Sequence, residues 1–219
     1  MPDQSSITLD IPDTELCREA WRYAQTIEAT ALANHSIRAF YFARATGEAS
    51  GLKAGADYDE ELLFVGSVLH DLGLTEEGNG ADRFEVDGAD LAVRFLREHG
   101  MSSDRIEVVW DAIALHTTPG IPNRKRPEIG LLQAGTFIDV FGQRTDELAP
   151  GLAEAVHAVY PRLGIEQAIA ETIIDQAVAR PSKAVPGTFP ADLVHRMRPS
   201  AGLPSWDDMF ATSAWQGIA

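Results

Sequence analysis

Apolar residues recur every three or four positions along nearly the whole chain, the spacing that lines one face of an α-helix. From Asp13 to Gly47, Leu16, Ala20, Tyr23, Ile27, Ala31, Ile37, Phe40, Tyr41 and Ala45 keep this rhythm. It predicts two helices with a break near Asn34, a residue suited to capping the second. Acidic Asp59, Glu60 and Glu61 precede the run Leu62–Leu69, which fits a helix whose positive N-terminal end attracts carboxylates and which stops at Gly73. After the loop signal Gly78-Asn79-Gly80, an amphipathic stretch from Glu85 to His99 closes on Gly100, and His99 reads as a surface residue near the negative helix end. Ser103-Asp104 starts a helix that runs to His116 and is ended by Thr117-Thr118-Pro119-Gly120. Further helices are expected around Ile129–Val140, Leu152–Tyr160 and Ile165–Val178. No strand or hairpin signal interrupts the series, so the fold class is all-α.

The last part of the chain follows other rules. Pro181, Pro186, Pro190, Pro199 and Pro204 lie too close together for a long helix, which predicts a helical domain over residues 1–180 and a Pro-rich extension over 181–219 that wraps it. Trp206, Phe210 and Trp215 are spaced to share one side of a short helix. Docking on the same chain is the expected use, and the face of a second subunit is the other, so a homo-oligomer stays open.

Composition narrows the function classes. A chain of 219 residues with 45% hydrophobic positions can build one sizeable core. Its 18 Lys and Arg against 33 Asp and Glu give a formal charge of -15, which repels nucleic acid and anionic membranes and suits a small-molecule substrate. Met1–Ser6 carries neither a basic segment nor an apolar signal core, so a cytoplasmic protein is expected. With Cys17 alone there is no disulfide and no thiolate zinc site; a metal would have to be held by imidazole and carboxylate.

Those two groups stand side by side at His70-Asp71, at the end of an otherwise apolar run. Burying both costs several kcal/mol unless they are compensated, and a divalent cation or a mutual hydrogen bond would each do so. Asp139, between Ile138 and Val140, poses the same question and admits either a metal or an ion pair with an arginine such as Arg38. His35 sits on a face of small residues with Ala31 and Ala39, where a lone histidine is most often an ordinary core residue. Gly135 and Gly142, before and after Asp139, would let neighbouring helices approach closely.

The order His35, His70-Asp71, Asp139 resembles the H…HD…D signature of the HD superfamily of helical metal-dependent hydrolases. The contexts Asn34-His35-Ser36-Ile37-Arg38 and Leu69-His70-Asp71-Leu72-Gly73 are similar to its cyanamide hydratase branch. The resemblance implies a helical bundle in which His35, His70, Asp71 and Asp139 ligate one divalent transition metal, Zn2+ or Fe2+ first and Mn2+ also acceptable. Relatives with two metals carry an extra histidine where Glu85 stands here, which implies a mononuclear site with Glu85 and His116 around it.

By that resemblance, a metal held by nitrogen and oxygen ligands activates water toward a small electrophile, with Asp71, Glu85 and His116 as the catalytic candidates and Arg38 and Thr117 as substrate contacts. Cyanamide, hydrated to urea, is the first expected substrate. A phosphate ester is the alternative and would need cations such as Arg38 or the Asn123-Arg124-Lys125-Arg126 segment near the metal. A third reading keeps the metal as a structural staple in a non-catalytic binding module.

Overall fold

In the computed structural model, which describes residues 7–217, the chain is a bundle of helices. In order they are α1 (Glu15–Ile27), α2 (Thr30–Ala49), α3 (Glu60–Leu69), α4 (Phe84–Glu98), α5 (Ser103–Leu115), α6 (Pro127–Phe141), α7 (Leu152–Val159), α8 (Ile165–Ala179), α9 (Phe189–Met197) and α10 (Trp206–Ala211). No strand occurs among the described residues, in agreement with the helical periodicity. The hexapeptide Met1–Ser6, read for targeting signals, lies outside them. No helix among them is long and apolar enough to cross a membrane.

The centre of the bundle is α2, which lies against α6 and α3 and is buried on nearly all sides from Leu32 to Gly47. A helix buried all round needs no polar face, which is why its pattern reads weakly as amphipathic. Its start also corrects the sequence reading. The break falls at Glu28-Ala29, where Ala29 is extended, and Asn34 lies inside the helix, its side-chain amide donating to the Pro161 carbonyl at 2.9 Å. Asn34 therefore ties α2 to the segment after α7 instead of capping a helix.

Close approach of α2 and α6 depends on Gly135. A Cβ there would lie 2.1 Å from the Ala39 carbonyl oxygen and 2.8 Å from the Ala43 nitrogen, both backbone atoms that cannot give way. Gly142, by contrast, has φ +64 and closes α6 as its left-handed C-cap, with open space where a Cβ would project. The aromatic core joins α2 to α3 through an edge-to-face contact of Phe40 and Phe64, with centroids 4.9 Å apart.

The C-terminal extension is tied to its own chain, but not by the residues expected to do so. Lys183 is buried, with its ammonium donating to the carbonyls of Asp82 at 2.7 Å and Gly80 at 3.2 Å and paired with Asp87. Ala184, Ala191, Val194 and Leu203 join Ile174 and Ala177 of α8 in a small satellite core. Trp206, Phe210 and Trp215, predicted to dock, are instead 54%, 70% and 76% exposed.

Gly135→Ala is expected to lower stability by about 1–3 kcal/mol or more, because overpacking against backbone cannot be relieved by a rotamer change; the midpoint of urea unfolding measures it, and an unchanged midpoint would mean that α2 and α6 lie further apart.

Candidate metal centre

α3 delivers the central pair. Asp59 caps it by accepting from the Leu62 amide at 3.1 Å, and the helix ends at Leu69, so that His70 and Asp71 follow as the chain turns into a 3-10 turn over Leu72–Leu74. Gly73 permits that turn to sit against the start of α4: a Cβ would fall 1.9 Å from the Phe84 carbonyl oxygen. His35 comes from the middle of α2, His116 from the end of α5 and Asp139 from α6.

His35, His70 and Asp71 converge, all buried, with one candidate ligand atom from each lying within 4.8 Å of the others. His35 Nε2 is 3.1 Å from His70 Nε2, and Asp71 Oδ2 is 3.6 Å and 3.3 Å from these two nitrogens. The other ring nitrogens are committed. His70 Nδ1 donates to the Ser67 carbonyl at 2.7 Å, and His35 Nδ1 donates to Asp139 Oδ2 at 2.7 Å. Because both partners are acceptors, each neutral ring carries its proton on Nδ1 and turns a bare lone pair inward. Two lone pairs and a carboxylate facing one another in a dry core require a positive charge between them, and a divalent cation fits this donor set. Burial opposes charge on His70, but the Asp71 carboxylate beside it prevails and raises the imidazole's pKa. Burial likewise opposes charge on Asp71, yet His70 holds its carboxyl well below the usual range.

His116 is built the same way. Its Nδ1 donates to the Ile113 carbonyl at 2.6 Å, and its Nε2 lies 3.7 Å from Asp71 Oδ1, beside the cluster and outside the three-residue group. Burial and the neighbouring His70 push its pKa down to about 4, so at neutral pH it is an uncharged acceptor.

Asp139 does not join the three. It stands behind His35, held by a bidentate pair from Arg38, Nε to Oδ1 and Nη2 to Oδ2 both at 2.7 Å, and by Arg162 at 3.2 Å. Burial opposes its charge, but the His35 hydrogen bond and Arg38 keep its carboxyl well below the usual range. Of the two possibilities raised from sequence, the Arg38 ion pair forms, and the carboxylate meets the candidate centre only through His35, whose ring it orients. Arg38 is accordingly not placed to touch a substrate; fully buried, it also donates to the Tyr160 and Pro161 carbonyls at 3.1 and 3.2 Å.

Glu85 is fully buried, and its carboxylate accepts from Arg83 at 2.7 Å and from the Thr117 hydroxyl at 2.5 Å. It reaches the cavity only through Thr117. That cavity, of about 50 Å³, opens beside the cluster and is lined on its polar side by His35, His70, Asp71, His116, Thr117 and Thr136. Its apolar side is Phe84, Phe137, Val140, Phe141, Ile169, Ile173 and Phe189. The Asn123–Arg126 segment is elsewhere, with Lys125 paired to Asp111 and Arg126 to Glu128.

Two features have no signature in the sequence. The aromatic and aliphatic wall is one; at helical spacing its residues look like any core positions. The other is Glu28, buried at the α1–α2 junction, where among the described residues only the Ser36 hydroxyl donates to its carboxylate, at 3.2 Å. Burial first, then the Asp71 charge, raise its pKa well above the ordinary glutamate value.

Two expectations follow from this geometry. His70→Ala and Asp71→Ala should abolish binding of a divalent metal, whereas Asp139→Asn should weaken it by about 10–100-fold, as for a residue that orients a ligand; calorimetric metal titration separates them, and equal loss in Asp139→Asn would make Asp139 a direct ligand. Glu28 favours the fold while protonated, so its contribution is complete below the unfolded pKa near 4.5 and is lost as pH rises toward the raised folded value. Glu28→Gln should therefore melt at the same temperature as the wild type near pH 4 and at a higher one near pH 7; equal melting at both would show that Glu28 ionises freely.

The HD domain family profile matches residues 32–150, which contain the whole cluster together with Asp139, Glu85 and His116. The chain is also 27% identical over 164 residues to the cyanamide hydratases DDI2 and DDI3 of Saccharomyces cerevisiae, covering 69% of this chain and 68% of each relative. A helical bundle that gathers histidine and aspartate from α2 and the end of α3, over a match spanning more than half its length, places this chain in the HD domain family.

Proposed function

We propose that this protein is a metal-dependent hydratase that adds water to a small neutral cyano compound, with cyanamide giving urea. The observation that carries the reading is the charge of the cavity: among the described residues no Lys or Arg lines it, so nothing there neutralises the equatorial oxygens of a phosphate ester, while a neutral molecule meets no penalty. The similarity to cyanamide hydratases supports the same choice.

A divalent metal held by His35, His70 and Asp71 would supply an activated water and polarise the cyano group. The residues of the chain do the rest. Asp139 and the Ser67 carbonyl fix the tautomers and orientations of His35 and His70. His116, uncharged and with Nε2 bare, accepts the proton that water loses as its oxygen bonds to the cyano carbon, and returns it to the nitrogen as one C–N π bond opens. Tautomerisation of the resulting imidic acid yields the amide. Thr117 lines the cavity with its hydroxyl proton given to Glu85, which leaves its lone pairs facing the substrate and fixes their direction.

Metal-loaded protein is expected to form urea from cyanamide and to release no phosphate from nucleotides. His116→Ala should retain metal and slow turnover by about 10²–10⁴-fold, and Glu85→Gln by about 10–100-fold. Phosphate release without urea would replace this reading with a phosphohydrolase, and bound metal with neither product would make the protein a binding module.

A further inference from the structure

The polar floor of the cavity comes from the region matched by the family, but much of its opposite wall does not. Ile169 and Ile173 belong to α8 and Phe189 opens α9, all beyond residue 150. They pack with Phe84 and Val140 in a hydrophobic cluster separate from the main core. The wall is anchored, since α9 follows the turn held by the buried Lys183 and Phe189 is followed by Pro190. Rigid aromatic and branched side chains at this place exclude water from one end of whatever lies over the cluster.

Bare cyanamide does not match that end. Its amino group carries two N–H donors, and the polar side chains outside the histidine–aspartate group are Thr117 and Thr136 alone among the described residues. Thr136 has given its proton to the Gln133 carbonyl at 2.8 Å and Thr117 to Glu85, so both hydroxyls accept and can take one N–H on the polar side, whereas the wall of Ile169, Ile173 and Phe189 offers no acceptor side chain to the other. An N–H set against that wall is desolvated without a partner, whereas a methyl group there gains about fourfold in affinity for each buried carbon. The cavity of about 50 Å³ limits the gain to short groups: at about 10–15 Å³ for each water-sized unit it takes about three to five units, enough for the cyano carbon and nitrogen, the amino nitrogen and one methyl. A longer tail would have to leave past Phe141, which is 48% exposed.

We propose that the substrate class is cyano compounds bearing a short alkyl group, N-alkylcyanamides in chemical terms, and that Phe189 and Ile173 are specificity-determining residues. This rests on the hydratase reading above. The reaction balances as for cyanamide: water oxygen bonds to the cyano carbon, one C–N π bond opens, and both water protons finish on the former cyano nitrogen to give an N-alkylurea.

Calorimetric titration of the metal-loaded protein with urea, N-methylurea and N,N-dimethylurea tests the wall independently of turnover. Affinity should rise about fourfold from urea to N-methylurea and no further in N,N-dimethylurea, whose alkylated nitrogen has no N–H left for a threonine, and kcat/KM for N-methylcyanamide should exceed that for cyanamide. Phe189→Ala should flatten the increment, and Ile173→Val, a milder change that preserves folding, should reduce it. Urea binding as tightly as its methylated forms, or an increment unchanged in both variants, would overturn the proposal. A clear increment with no turnover of any cyano compound would refute the hydratase reading and leave the alkyl-selective wall in place.

Discussion

Three lone-pair donors, His35 Nε2, His70 Nε2 and an Asp71 oxygen, are held within 3.1–3.6 Å of one another in the buried centre of the bundle. Their mutual repulsion is not an accident of side-chain placement, because the opposite nitrogen of each ring is hydrogen-bonded to an acceptor and cannot give up its proton without leaving that acceptor unpaired. The bundle therefore commits hydrogen bonds to a configuration that is unfavourable until a cation arrives. Metal binding and folding stability would be coupled as a result: an ion completing the centre would also remove the repulsion between α2 and the end of α3.

Asp139 transmits this requirement into the fold. Its two oxygens meet His35, Arg38 and Arg162, and Arg38 in turn holds the carbonyls of Tyr160 and Pro161, so the segment joining α7 to α8 is fixed by the same group that orients a candidate ligand. The arrangement works only if α6 lies close to α2, and Gly135 one turn before Asp139 provides that closeness. A buried carboxylate with one cation can be replaced by apolar residues without loss of stability. One that shares a histidine cannot, because the imidazole would lose its tautomer as well as its position.

The helices are legible in the sequence because most have one apolar face, and the end of α3 is legible because a histidine and an aspartate terminate a run that is otherwise dry. The start of α2 escapes that reading for a reason that follows from its burial: Ala29, Ala31 and Ala33 leave no amphipathic phase to mark a boundary, and Asn34, which resembles a cap, is used for a contact 127 residues away in the chain. The ligand set is legible in type and only partly in arrangement. Nothing in the spacing of Arg38 and Asp139 tells whether the carboxylate faces a metal or a guanidinium, since that depends on the rotation of α6 about its axis. Glu85 and Arg38 both look substrate-facing because charged residues near a site usually are; each instead has its charge consumed by a neighbour, Arg83 and Thr117 for one and Asp139 for the other.

The division of the cavity has a physical cause. Its floor is made of side chains at the ends of α3 and α5 and in the middle of α2 and α6, elements that pack directly on one another and cannot shift without losing the main core. The wall from α8 and α9 belongs to a smaller cluster, tied down chiefly through Lys183 and through Gln176, whose amide donates to the Gly73 carbonyl at 3.0 Å beside the His70-Asp71 turn. Substitutions in that wall change volume and polarity over the site while leaving the floor's hydrogen bonds intact. On the proposed hydratase reading, water activation and the choice of substrate would be carried by separate clusters joined at one turn, so that changes in the second need not disturb the first.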